Sequence, residues 1–206
     1  MSPRKTVGKD DEISIFYEHG LHISSRTIII GSVHVDPEHG ESGVDAHMWS
    51  RLEKSLIILE QGEERKPISI VMNNPGGDAY HMLAMYDRIR SSQCQIVIDA
   101  TGHVMSAGSI ILQAADVRRM HKHATMMIHH GTEAFAGHAK NLERWAEESK
   151  RVREIMHQIY LKRLRQKDKK FGSKRLKDMM AFDRYISAEE AVALGLADEI
   201  IPHTDL

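Results

Sequence analysis

The chain has 206 residues, 41% hydrophobic, 28% charged and 5% aromatic, with a formal net charge of −1. This fits one soluble domain with a sizeable core, and neither the charge nor the few aromatics offers a surface for nucleic acid. Cys94 is the one cysteine, which excludes an intrachain disulfide and points to a reducing, cytoplasmic setting.

Residues 1–12, ending in Lys9-Asp10-Asp11-Glu12, read as a mobile tail, and 13–206 as a single domain. No apolar h-region follows the N-terminus, and no run approaches the roughly 18 residues needed to span a bilayer. Thr27 to Ile30 is a β-branched strand stopped at Gly31. His34 to Gly43 reads as a loop, and Met48, Leu52, Leu56 and Leu59 recur at helical spacing. Ile68 to Met72 is a buried strand, followed by the turn Asn74-Pro75-Gly76-Gly77 and a helix carrying Leu83, Met85, Tyr86 and Ile89. Ile96 to Ile98 is a third strand, Ser106 to Ala115 a short buried helix, and Thr125 to Ile128 a fourth strand. A long amphipathic helix carries Leu142, Trp145, Val152, Ile155, Met156 and Ile159, and a basic, exposed stretch runs from Arg165 to Lys177. Ser187-Ala188-Glu189-Glu190 reads as a capping box opening a helix that stops at Gly195. Alternating strands and helices predict an α/β fold with largely parallel strands, its chemistry on loops at their carboxyl ends.

Three segments meet that description, and together they hold the parts of an acyl-transfer site. Ser106, in Gly102-His103-Val104-Met105-Ser106-Ala107-Gly108, is either a nucleophile at a helix N-terminus or an ordinary N-cap serine. His129 and His130 face opposite ways on a strand, so only one can serve Ser106 as a base; the other reading is a strand-end histidine bonded locally. Asp183 either orients that base or is a solvated acid paired with Arg184. Gly76 and Gly77 are a tight turn, or bare backbone open to a ligand, with Gly77 N–H and Ala107 N–H offered to an oxyanion. His121, His123, His129 and His130 lack a ligand spacing and a carboxylate partner, so no metal is expected.

The order and wording of these segments resemble the Clp-protease proteolytic-subunit family. Asn73-Asn74-Pro75-Gly76-Gly77 is similar to its Asn-Ser-Pro-Gly-Gly, Ala84-Met85-Tyr86-Asp87 to its Ser/Ala-Ile-Tyr-Asp, and the Ser106 segment to its Gly-Gln-Ala-Ala-Ser-Met-Gly. Met127-Ile128-His129 matches its Met-Ile-His, while Asp183 to Ala191 resembles its Asp-Arg-Phe-Met-Ser-Ala-Glu-Glu-Ala and Gly195-Leu196-Ala197-Asp198 its Gly-Leu-Ile-Asp. The likeness runs from about Ile28 to Ile201.

It implies a crotonase-like α/β spiral of repeated β-β-α units with a protruding handle helix, here about Asn141 to Leu164, in stacked seven-membered rings. It implies serine endopeptidase activity on unfolded polypeptides or peptides, with Ser106 the nucleophile, His129 the base, Asp183 its orienter, and Gly76, Gly77 and Ala107 forming the oxyanion hole and substrate edge. The handle's apolar stripe is then expected between rings rather than in the monomer core. No cofactor is implied, and ATP belongs to a partner unfoldase, since the chain has no phosphate-binding loop.

The likeness breaks at Ser69 and Val71, where unfoldase-docking members carry aromatics. It breaks again at Phe182, where the family commonly has Arg, and at His130-Gly131, usually Gln-Pro. The stretch before Asp183 is also long. Rival readings are a non-catalytic ring subunit, an acyl-CoA enzyme of the same fold, and a dedicated maturation protease of phage type.

Overall fold

A computed structural model describes residues 8–31, 35–36, 40–41, 43–61 and 65–203. In chain order its elements are α1 (Lys9–His19), β1 (Leu21–His22), β2 (Thr27–Gly31), β3 (Val35–Asp36), β4 (Gly40–Glu41), α2 (Ala46–Leu59), β5 (Ile68–Asn74) and α3 (Ala79–Arg90). There follow β6 (Ile96–Met105), α4 (Ala107–Leu112), β7 (Val117–His121), β8 (Thr125–Ile128), α5 (Ala139–Lys167), α6 (Ser173–Met179), β9 (Arg184–Ser187), α7 (Ala188–Leu194) and β10 (Glu199–Ile201). The fold is α/β, as the alternation predicts.

The main sheet runs β1-β2-β5-β6-β7-β10, with β8 joined to β6 and β9 to β8. β2, β5, β6 and β7 are parallel. Their inward residues Ile28, Ile30, Ile68, Ile70, Met72, Ile96 and Ile98 are buried under α2, α3 and α4. Full burial of such side chains contributes about 1.5–3 kcal/mol each. Asp45 caps α2 by accepting from Met48 N at 2.8 Å, and Asp78 caps α3 by accepting from Tyr80 N and His81 N at 2.9 Å. Ser187 and Gly195 bound α7 as expected, with Ser187 Oγ accepting from Glu190 N at 3.2 Å and Gly195 left-handed at φ 80°.

The feature that organises the site is a change of partner along β6. Val97 to Ala100 pair with β7, whereas His103 to Met105 pair with β8. Between these stretches Gly102 takes φ 54°, and a register shift against β5 moves Asn74 opposite Val104. Asn73 Oδ1 accepts from His103 N at 3.0 Å, so a side chain stands in for backbone at the slip.

Three expectations need correction. The stretch read as a tail is helical from Lys9 on, and Glu12 accepts hydrogen bonds from Ser24 N and Ser24 Oγ; residues 1–7 lie outside the described residues. Of the loop expected over 34–43, residues 35–36 and 40–41 form an antiparallel pair, while 34, 37–39 and 42 lie outside the described residues. The apolar stripe of α5 is not held clear of the monomer core. Val152, Met156 and Ile159 are buried within the chain, because the C-terminal half of α5 lies across the core. Only the opposite end projects: residues 131–147 are exposed throughout, and there Trp145 stacks on Phe135 with centroids 5.5 Å apart. At 1.5 Å per residue, the 29 residues of α5 span about 43 Å.

Candidate active site

Ser106 stands at the end of β6, in the N-cap position of α4, with φ 50° and ψ −120°. A non-glycine residue held at positive φ costs on the order of 1–3 kcal/mol and persists only where its surroundings impose it. Here Ser106 N donates to Met127 O at 2.9 Å, the last rung between β6 and β8. The hydroxyl makes no cap bond with α4. It lies 2.8 Å from His129 Nε2 instead, which decides against an ordinary N-cap serine.

Strand register explains the meeting. β6 and β8 run parallel with Met105 opposite Met127, so both chains leave the sheet at one end, Ser106 beside the residues after Ile128. β9 returns antiparallel with Arg184 opposite Ile128, so one step further Asp183 comes opposite His129. His129 Nδ1 is 3.0 Å from Asp183 Oδ1. Arg184, the other partner open to Asp183, donates to Glu190 Oε1 at 2.5 Å. His130 points away, its Nε2 3.2 Å from Lys177 O and its N donating to Met180 O at 3.0 Å. His129 is mostly enclosed, 15% exposed, whereas Asp183 is 53% exposed.

The Pro-Gly-Gly turn is pressed against Ser106. A Cβ on Gly76, at φ 108°, would stand 2.7 Å from Ser106 Cβ, 3.0 Å from Met105 O and 3.2 Å from Ala107 N. Gly77, at φ 143°, forms a parallel bridge with Val44. Val44 N donates to Gly76 O at 2.6 Å, and Asp78 N to Val44 O at 2.8 Å. In such a bridge the central residue's own N–H and C=O point to the other edge, so those of Gly77 face away from Val44. Ala107 N opens α4, where the first N–H groups have no intrahelical acceptor.

Two asparagines missed as functional residues brace this turn. Asn74 Oδ1 accepts from Gly76 N at 2.9 Å, and Asn74 fills the space where a Cβ on Gly108 would sit, 2.9 Å from Oδ1. Asn73 supports the approach to Ser106 from β6. Their one signal in the sequence was a place in the Asn-Asn-Pro-Gly-Gly string.

Beside Ser106 and His129 lies a cavity of about 380 Å³, floored by Met82, Val152 and Met156. Its rim carries Glu133, whose Oε2 accepts from Arg153 Nη1 at 3.2 Å and from Ser149 Oγ. A larger groove of about 660 Å³ runs along α5 beside Tyr86, and its lining holds no serine, cysteine or histidine. Among the described residues no group of three His, Cys, Asp or Glu side chains could hold a metal ion, and no helix is long and apolar enough to cross a membrane.

The family model described as Clp protease matches residues 40–204. The chain belongs to the Clp protease family. It is 32% identical over 163 residues to the ATP-dependent Clp protease proteolytic subunit of Deinococcus radiodurans, covering 78% of each chain. Family and relative together support a serine protease function. The breaks from the Clp protease pattern have structural places. Phe182, 86% exposed, sits directly before Asp183, and Ser69 and Val71 are half-buried on one face of β5.

Proposed function

We propose that this chain is a serine endopeptidase that hydrolyses peptide bonds in unfolded polypeptides or peptides, with Ser106, His129 and Asp183 as its triad. The observation that carries the reading is the continuous chain of contacts Ser106 Oγ, His129 Nε2, His129 Nδ1 and Asp183 Oδ1, at 2.8 and 3.0 Å. His129 takes the Ser106 proton as Oγ attacks the peptide carbonyl, and Asp183 holds the ring with Nδ1–H toward itself while the imidazolium forms. Gly77 N–H and Ala107 N–H receive the tetrahedral oxyanion. His129 then gives its proton to the leaving amine, and water repeats the cycle on the acyl-enzyme. The substrate lies extended along the free edge at Gly77, by strand addition, with one side chain over Met82, Val152 and Met156.

The same reading places the chain in stacked rings that enclose the sites, in the cytoplasm. In its support, the projecting end of α5 leaves Leu142 38% and Trp145 37% exposed, and Cys94 is free and buried. ATP hydrolysis belongs to a separate unfoldase, and the absence of aromatics at Ser69 and Val71 favours docking unlike that of the standard partners.

The test is covalent labelling with a fluorophosphonate, alongside light scattering to record assembly. Labelling of the wild type that disappears in Ser106→Ala is the expected result. A well-formed ring that does not label would overturn the catalytic reading in favour of a structural ring subunit.

A further inference from the structure

Behind the nucleophile, three donors converge on one carbonyl. Ser106 O accepts from Ser109 N at 3.0 Å, from Ile110 N at 3.4 Å and from Ser109 Oγ at 2.6 Å. Ser109 Oγ lies 2.6 Å from the hydroxyl of Tyr160. The proton directions follow from the groups involved. A carbonyl only accepts, so the single Ser109 hydroxyl proton is committed to Ser106 O, and Tyr160 must donate to Ser109. Both side chains are fully buried. Burial pushes the Tyr160 hydroxyl well above its ordinary pKa, so it stays protonated as a donor.

The Ser106 carbonyl is not an arbitrary acceptor. It shares a planar peptide unit with Ala107 N–H, so fixing the oxygen on one side fixes the direction of the N–H on the other. That N–H is one of the two donors of the proposed oxyanion hole. Hydrogen bonds to the carbonyl also polarise the amide and strengthen its N–H as a donor. Ser106 is strained, and the plane that follows it has a reason to rotate unless it is held.

We propose that Tyr160, acting through Ser109, is a positioning residue that holds the Ser106–Ala107 peptide in the orientation that oxyanion stabilisation requires. Tyr160 belongs to α5, so the helix whose far end projects from the domain also reaches the back of the catalytic turn. The inference rests on the serine-peptidase reading. Because the oxyanion forms only at the transition state, the contribution of Tyr160 falls on the chemical step rather than on binding.

The test uses the full chain as wild type, Tyr160→Phe, Ser109→Ala and the double variant. The concentration dependence of fluorophosphonate labelling separates the maximal inactivation rate from the probe's half-saturating concentration, and thermal unfolding is recorded for each protein. Tyr160→Phe keeps the ring and deletes one hydrogen bond, so the expected fall in maximal rate is about three- to tenfold. The half-saturating concentration stays within about twofold, and the apparent pKa of the rate profile is unchanged. The double variant is no slower than the slower single one, since both break one link. A role in stability alone would lower the unfolding midpoint and leave the maximal rate of the folded protein intact. A Tyr160→Phe protein that labels at the wild-type rate, or rate losses that simply multiply in the double variant, would overturn the inference and leave the peptidase reading standing. Wild type that does not label at Ser106 overturns both. Ser109→Ala carries the same test from the other side if Tyr160→Phe does not fold.

Discussion

Gly76→Ala is the sharpest perturbation that the geometry allows. The added methyl would lie 2.7 Å from Ser106 Cβ and 3.0 Å from Met105 O, where carbon atoms rest at about 3.5–4.0 Å. Neither neighbour can rotate away, because one is a Cβ fixed to strained backbone and the other is backbone. A φ of 108° adds on the order of 1–3 kcal/mol for any residue with a Cβ. The turn and Ser106 must therefore separate by about 1 Å, and on the proposed mechanism a displacement of that size costs on the order of 100-fold in rate. Stability falls as well, by about 2–4 kcal/mol from strain and overpacking together. The assay is fluorophosphonate labelling with thermal unfolding, run beside Gly31→Ala, whose methyl would meet, among the described residues, only Asn73 O at an ordinary 3.5 Å. The control should lie within about 0.5 kcal/mol of wild type. If Gly76→Ala labels as fast as Gly31→Ala, the turn is not packed against Ser106 and the proposed oxyanion geometry is wrong.

Other expectations are as direct. Asp183→Asn should slow labelling by about 100-fold, less than the roughly 10⁴ seen when a buried triad aspartate is changed, because Asp183 is 53% exposed and water can take part of its place; an unchanged rate would remove Asp183 from the mechanism. Arg118 is 3% exposed and meets Asp198 through Nε at 2.9 Å and Nη2 at 2.5 Å. Burial opposes ionisation of Asp198, yet the Arg118 hydrogen bonds outweigh it and hold the carboxyl below its ordinary pKa. Arg118→Met should therefore cost about 2–3 kcal/mol, below the 3–5 typical of a fully buried pair, with a fall of about 5–10 °C in unfolding midpoint. His157 is buried with Nδ1 lacking a partner among the described residues, and burial lowers its pKa below the ordinary histidine value despite the Ser173 carbonyl. The unfolded chain then binds the proton more readily, so this contribution is complete above about pH 6.5 and is lost as pH falls through the lower folded value. The acid-side drop in midpoint between pH 7.5 and 5.5 should be smaller in His157→Leu, and an identical drop would refute it.

Where apolar residues follow a clean period, the fold was legible in the sequence. β5, β8, α2 and α3 fall close to where β-branched runs and helical spacing put them. β7 was missed because its sequence, Val-Arg-Arg-Met-His, carries two arginines. Its inward Arg118 is accommodated only because Asp198, Gln113 and Gly195 O arrive from elsewhere. The apolar run predicts β6 over Ile96 to Ile98 alone, yet the strand reaches Met105. The backbone continues because β8 takes over from β7 as partner, a tertiary event without a local signal. The first turn of α1, Lys9 to Glu12, reads as tail because its charges show no apolar face. Motif order singles out Ser106, His129 and Asp183, but their convergence belongs to the registers of β6 with β8 and β8 with β9. Tyr160 stood unnoticed between Ile159 and Leu161, since a hydroxyl inside an apolar stripe says nothing about what it meets.

The pairing of β9 with β8 also bears on timing. On the proposed mechanism, nucleophile and base come early in the order of segments, but the residue that orients the base follows 54 residues after it, directly before β9. A polypeptide emerging in order from a ribosome therefore carries the serine and histidine well before the aspartate can reach them. Until Arg184–Ser187 has been made and has zipped onto Thr125–Ile128, the base has no partner to fix its tautomer. The order of segments acts as a built-in delay: a growing or truncated chain has little power to cut its neighbours, and cleavage becomes competent only as the domain closes.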